Sequence, residues 1–166
     1  MSKKKKDPHI LWLIKSMHMA YDEGKGLWAH SLLDAIKGLS AEQAAWKPRK
    51  KDARSVWEIV NHVAFWKDAM ARSLEKKPWL DASKHKGWPP VEEISEAAWA
   101  ESVEHLKSRH RAFMRCMGKL SIENLDKPSP KEKRKLGEHI YGVLAHDCYH
   151  TGQILILRQL QGIGLE

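Results

Sequence analysis

Two histidines near the C-terminus have a spacing that suits metal binding. His146 and His150 are four residues apart, so on a helix their rings project from one face, and two imidazoles in that arrangement can bind one ion. The same face carries the apolar residues Val143, Ile154 and Leu157. Both rings should therefore point into the core, where an unpaired polar group costs about 1–3 kcal/mol. This spacing favours a buried metal site.

A third histidine is predicted to face the same core from an earlier helix. His62 follows Ile59 by three residues and precedes Trp66 by four, which places it on an apolar helical stripe. Metal sites in helical bundles use inward-facing side chains of neighbouring helices, and three neutral imidazoles leave coordination positions for water or substrate. The alternative is that all three are core histidines bonded to backbone or hydroxyl groups, because an HxxxH pattern is short.

Several polar residues near these histidines have two interpretations. Gln153 lies three residues after His150, so it can orient that ring or contact a ligand, or it can make a helix-interface hydrogen bond. Asp147 points a quarter-turn away from the histidine pair and is interpreted as a surface or interface carboxylate. His139, in the first turn of the same helix, is a reserve ligand. No inward-facing carboxylate is recognised as a general base.

Helix caps and helix breakers predict four long helices that would position these residues. Capping boxes or caps are recognised at Ser40, Ser55 and Ser95, and the box at Ser40 opens only a short helical turn. The predicted long helices run from about Pro8 to Lys37 with a kink at Gly24 and Gly26, from Ser55 to just before Pro78, from Ser95 to about Leu120, and from Glu138 to Gln161. No strand signal is present.

The predicted second and third helices are separated by a long connection. Residues 77–94 contain Pro78, Pro89 and Pro90, a composition typical of a connection rather than of a helix. Its two tryptophans, Trp79 and Trp88, are expected to cover a pocket.

Composition limits the classes of protein to which the chain can belong. Its 166 residues, 42% of them apolar, predict one domain at 8–166 after a basic, disordered tail at 1–7. No apolar run is long enough to cross a membrane, and no cleavage site follows the lysine tail, so we expect a cytoplasmic protein. Cys116 and Cys148, the only cysteines, are predicted to be buried apolar residues. The net charge of +8 is concentrated in the tail and in residues 47–54 and 127–135, which argues against nucleic acid as a partner.

Two segments together resemble the signatures of the DinB-like family. The segment from His146 to Gln153, followed by Ile154 and Arg158, is similar to that family's last-helix signature, and residues 55–63 are similar to its second-helix signature. The resemblance implies an all-α, DinB-like four-helix bundle with a long connection between helices two and three. It also implies a divalent ion held by His62, His146 and His150, and a homodimer. Tyr149 and Thr151 stand where many members have a second histidine or an arginine.

The resemblance and the histidines together lead to two hypotheses about function. The first is a metal-dependent enzyme of the thiol transferase or hydrolase type, acting on a small-molecule thiol or an electrophilic substrate. The second is a non-catalytic, metal-binding, dimeric helical module of stress response. Zinc or nickel is the expected ion, and iron and manganese also suit three imidazoles, because metal preferences overlap at such sites.

Overall fold

A computed structural model describes residues 7–26, 28–49, 53–83, 87–129 and 133–165. These residues form helices and contain no strand, only an isolated bridge between Pro128 and Lys135. The all-α class is therefore confirmed. The helices are α1 (Pro8–Tyr21), α2 (Leu32–Ile36), α3 (Ala41–Ala45), α4 (Val56–Leu74), α5 (Glu96–Met117), α6 (Ile122–Leu125) and α7 (Leu136–Leu160).

The predicted first helix, Pro8 to Lys37, is wrong, because α1 ends at Tyr21 and α2 is a separate short helix. The chain turns extended at Asp22 and adopts a positive φ of 65° at Gly24. Ser31 then starts α2 through a capping box with Asp34. The carboxylate of Asp34 also accepts a hydrogen bond from the backbone N–H of Gly24. These local hydrogen bonds hold the connection and prevent one continuous helix.

The serines recognised in the sequence do begin helices. Ser40 and Ser55 form capping boxes for α3 and α4, and Ser95 caps α5. The last helix begins two residues before the predicted Glu138, and the four-residue α6 was not predicted. Of the predicted tail, only Asp7 lies within the described residues, and its side chain caps α1.

Helix α4 carries His62 and packs against α5 and against α7, the helix that carries His146 and His150. One core cluster includes Trp57 and Ile59 of α4 with Leu106 of α5 and Ile154 of α7. A second cluster joins α1, α4, α5 and α7 through residues that include Met17, Met70, Phe113 and Ile140. The described parts of the connection from α4 to α5, residues 75–83 and 87–95, contain no helix. Among the described residues, no helix is both long and apolar enough to cross a bilayer.

Candidate metal centre

The structure brings His62 of α4 together with His146 and His150 of α7. The Nε2 atom of His146 lies 3.1 Å from Nε2 of His62 and 3.0 Å from Nε2 of His150. His62 and His150 are 7% and 3% exposed, whereas His146 is only partly buried. The three histidines chosen from the sequence thus point the same ring nitrogen at one another.

Hydrogen bonds on the far side of two rings fix which nitrogen faces the centre. Nδ1 of His62 lies 2.7 Å from the carbonyl oxygen of Gly87, and Nδ1 of His150 lies 2.7 Å from Oε1 of Gln153. Gln153 donates its amide to the hydroxyl of Tyr149, which leaves Oε1 as the acceptor. Because both acceptors are carbonyl oxygens, both Nδ1 atoms carry the proton. The Nε2 lone pairs of His62 and His150 therefore point inward, as metal ligation requires.

Hydrogen bonds among the three rings cannot give every inward-facing Nε2 atom a suitable partner. If His62 and His150 each present a lone pair, only His146 can supply a proton at Nε2, and one proton cannot serve both contacts well. Two nitrogens bound tetrahedrally to a zinc-like ion at about 2.0 Å lie about 3.3 Å apart. The observed separations of 3.0 and 3.1 Å are close to that distance. The donor set therefore fits one divalent ion.

Burial keeps these imidazoles in the neutral form that can coordinate. Burial is the main cause that lowers the pKa of His62 to about 4 and that of His146 to about 3. The pKa of His150 is also lowered by burial, against the opposing effect of its hydrogen bond to Gln153. Neighbouring imidazoles and Lys67 lower the pKa of His146 further. At neutral pH no proton competes with a cation for these rings.

The connection between α4 and α5 covers the His62 side of the cluster. The ring of Trp88 stacks on His62 at 3.7 Å and 11°, and Arg54 lies 4.8 Å above the Trp88 ring. Gly87 has a φ of 73°, and a Cβ atom there would come within 2.8 Å of the Trp66 ring. Only glycine therefore fits where the carbonyl group accepts the proton of His62.

The sequence left Asp147 as either a surface carboxylate or an interface carboxylate, and the surface alternative is wrong. Asp147 is 0% exposed, and its Oδ2 atom lies 2.5 Å from Nζ of Lys67, which is 1% exposed. Sequence reasoning overlooked Lys67 and treated Asp147 as peripheral. The available signal was a lysine four residues after Val63 and three before Met70, on the apolar stripe of α4. The pair lies beside the histidine cluster but is not part of it.

Other predicted residues fall outside the cluster. Nδ1 of His139, the reserve ligand, lies 2.7 Å from the hydroxyl of Ser129, and the ring is not in the three-histidine group. Cys116 is buried as predicted, whereas Cys148 is exposed, because it lies on the outer face of α7 next to Asp147.

A cavity of ≈ 380 Å³ opens next to His146. Trp79 of the connection lies at its edge, as expected for a residue that covers a pocket. Its walls are mainly apolar and are contributed by α4, α7, the connection between α4 and α5, and the segment before α7. The lining residues are Trp66, Lys67, Met70, Trp79, Arg134, His139, Gly142, Val143 and His146. His146 belongs both to the cluster and to the cavity wall, so a molecule in the cavity would lie beside the candidate metal position.

The described residues are helical, and three of their histidines converge, so the protein is of the helical class that carries a candidate metal centre. The chain matches the model of the DinB superfamily over residues 28–154. It belongs to that superfamily. The match includes α2 to α6, most of α7 and all three histidines. No curated protein and no solved structure matches the chain.

Proposed function

We propose that this protein is a metal-dependent enzyme of the thiol transferase type, with one divalent ion bound by His62, His146 and His150. The observation that carries this proposal is the convergence of three Nε2 atoms, two of them with their lone pairs directed inward by Gly87 and Gln153. Zinc or nickel is the ion we expect, because both suit imidazole ligands.

The bound ion would supply Lewis acidity, which lowers the pKa of a coordinating thiol or water. The chain supplies the ligands of the ion and an apolar cavity beside it. Three ligands leave at least one coordination position open, and His146 connects that position to the cavity. Trp66, Trp79 and Met70 give the cavity apolar walls, which suit the carbon skeleton of an electrophile and exclude water from its reacting atom.

The state of the nearby carboxylates favours thiol transfer over hydrolysis. Hydrolysis commonly uses a carboxylate as general base for water. Asp147 is engaged by Lys67, and Glu58 is engaged by Lys47, Arg54 and the backbone of Ser55. Within the described residues, the three-histidine group contains no carboxylate. A thiol needs less help, because its ordinary pKa of about 8.5 is far below that of water and falls further at a metal.

We further propose that α1, α4, α5 and α7 form the DinB-like four-helix bundle, with residues 75–95 as its long connection, and that two chains form a cytoplasmic homodimer. The support for a dimer is a stripe of exposed apolar side chains along α7, which includes Tyr149 and Ile156.

Metal analysis of purified protein tests the centre directly. Alanine at His62, His146 or His150 should each lower the bound zinc or nickel by one equivalent per chain, because two imidazoles rarely hold an ion tightly. His30→Ala is the matched control, since His30 is exposed and outside both the centre and the cavity. Unchanged metal content in all three variants would contradict the assignment.

Turnover separates the enzyme from a non-catalytic binding module. The zinc- or nickel-loaded protein should accelerate displacement of chloride from a chlorodinitrobenzene by glutathione or cysteine, followed by absorbance. Chelation and His146→Ala should abolish the acceleration, and His30→Ala should not. Stoichiometric metal without any acceleration over the uncatalysed rate, across several thiols and electrophiles, would favour the binding module.

A further inference from the structure

A second group of potential metal ligands lies away from the first centre. It consists of His18 in the last turn of α1, Asp22 at the C-cap of α1, and His110 of α5. One ligand atom from each residue lies within 4.8 Å of the other two. The group shares no residue with the three-histidine centre, which α4 and α7 supply.

His110 is a buried histidine whose ring nitrogens lack hydrogen-bond partners. It is 3% exposed, and neither of its ring nitrogens has a hydrogen-bond partner. A neutral imidazole carries one donor and one acceptor, and buried polar groups nearly always have partners. The ring of Tyr21 stacks on it at 3.5 Å and 4°, which covers a face but satisfies neither nitrogen. The packing therefore holds in place an imidazole that has no hydrogen-bond function.

The other two residues form the open side of the group. Nδ1 of His18 lies 2.5 Å from Oδ2 of Asp22, and their side chains are 46% and 35% exposed. They are four residues apart at the end of one helix, so both reach the same side of α1. An ion can approach from solvent, and both side chains have room to adjust while His110 stays fixed.

We propose that His18, Asp22 and His110 form a second divalent-metal site, of the zinc-binding type, that ties the end of α1 to α5. Two imidazoles and one carboxylate form a ligand set that zinc and other first-row divalent ions use, with positions left for water. For the ion to bind at Nδ1 of His18, the proton that lies between this nitrogen and Asp22 has to leave, either to solvent or to Nε2 of the same ring. Their contact then opens from 2.5 Å to about 3.3 Å, the separation of two tetrahedral ligands.

The charges around the group are mixed and permit a cation. The positive charges of Lys67 and Arg111 lie near enough to affect His110. Each forms an ion pair, Lys67 with Asp147 and Arg111 with Glu104. Asp22 contributes a carboxylate whose side-chain partner is His18. Among the described residues no lysine or arginine forms an ion pair with Asp22, so the ion would meet this carboxylate at the mouth of the site.

The test uses the full chain with the first centre removed by His62→Ala and His146→Ala together. This background should bind one equivalent of zinc, or of cobalt as a spectroscopic probe with visible absorption. Adding His18→Ala or Asp22→Asn should weaken that binding by at least tenfold, whereas His9→Ala, an exposed histidine at the other end of α1, should not. Zinc should raise the melting temperature of the background and leave that of the His18→Ala variant unchanged.

Two results would overturn the second site: a background that binds no zinc or cobalt, or one whose single equivalent persists with His18→Ala and Asp22→Asn. Should the double background fold poorly, the otherwise wild-type chain gives the same decision, since His18→Ala should lower two bound equivalents to one. The first centre is tested by a different variant: if that centre is absent, His62→Ala leaves the metal content unchanged, whatever the result for His18→Ala.

Discussion

Gln153 is the side chain that orients His150. Its Oε1 atom accepts the proton of His150 Nδ1 at 2.7 Å, while its amide donates to the hydroxyl of Tyr149 at 2.9 Å. The amide is therefore held from both ends. One of the two readings of Gln153 in the sequence, that it orients a ring, agrees with these contacts. A partner of this kind fixes the tautomer of a histidine and raises the basicity of its other ring nitrogen, which here is the nitrogen that would bind the proposed ion.

Replacing Gln153 should weaken metal binding at the proposed centre without abolishing it. Gln153→Ala should lower the affinity for zinc by about 10–100-fold, because His150 loses the acceptor that fixes its ring. Gln153→Glu should restore most of that affinity, since a carboxylate also accepts the proton. Competition with a chromophoric chelator measures the change, and Gln159→Ala, at an exposed position of the same helix, is the control. Equal affinities in all four proteins would contradict this role.

Helices α4 and α7 meet through charge as well as through apolar packing. Lys67 and Asp147 are both fully buried, and Oδ1 of Asp147 has no hydrogen-bond partner. A buried ion pair contributes little net stability, because desolvation offsets the attraction, but removing one partner leaves an uncompensated charge. Any other register of α4 against α7 would separate the two charges and cost free energy. The observed register also places His62 opposite His146.

Single and double substitutions of this pair should differ strongly in stability. Asp147→Asn or Lys67→Met alone should lower the free energy of unfolding by about 3–5 kcal/mol, whereas Lys67→Met with Asp147→Leu should recover most of the loss. Urea denaturation measures both. The exposed pair Lys135–Asp126 is the control, and Asp126→Asn should cause no measurable change. Equal losses in the single and double variants would show that the charges do not act as a pair.

On the scale of the whole molecule, α7 carries an apolar stripe that the described part of the chain leaves exposed. Tyr141, Tyr149, Ile156 and Leu160 are each about 60% exposed, and their spacing places them within about 100° of the helix circumference. Large exposed apolar patches commonly mark contacts between proteins. A symmetric dimer brings the same patch of two chains together, which agrees with the homodimer implied by the family resemblance.

A charge placed in this stripe should separate the proposed dimer. Light scattering of the wild-type protein should give twice the chain mass of 19.1 kDa, and Ile156→Glu should shift the mass toward the monomer. Burying two like charges at a symmetric interface costs more than the contact contributes. Ile94→Glu, at an exposed isoleucine in the connection, should leave the mass unchanged. A wild-type monomer at every concentration would refute the dimer.

The sequence alone determined the features that depend on neighbours a few residues away. Caps at Ser40, Ser55 and Ser95 mark true helix starts, because each serine bonds a backbone N–H three residues later. The i,i+4 spacing of His146 and His150 likewise predicts their shared face. Choosing His62 as well needed the apolar stripe on a second helix together with the family signatures.

Only the tertiary structure decided the features that depend on which helix faces meet. Asp147 is buried because Lys67, 80 residues earlier, lies opposite it, and no local pattern encodes that distance. His110 joins His18 and Asp22 only because the end of α1 lies against α5. Cys148 is exposed for the converse reason, since none of the described helices buries its side of α7. Local hydrogen bonds can be read from spacing, whereas burial and long-range partners follow from how the helices pack.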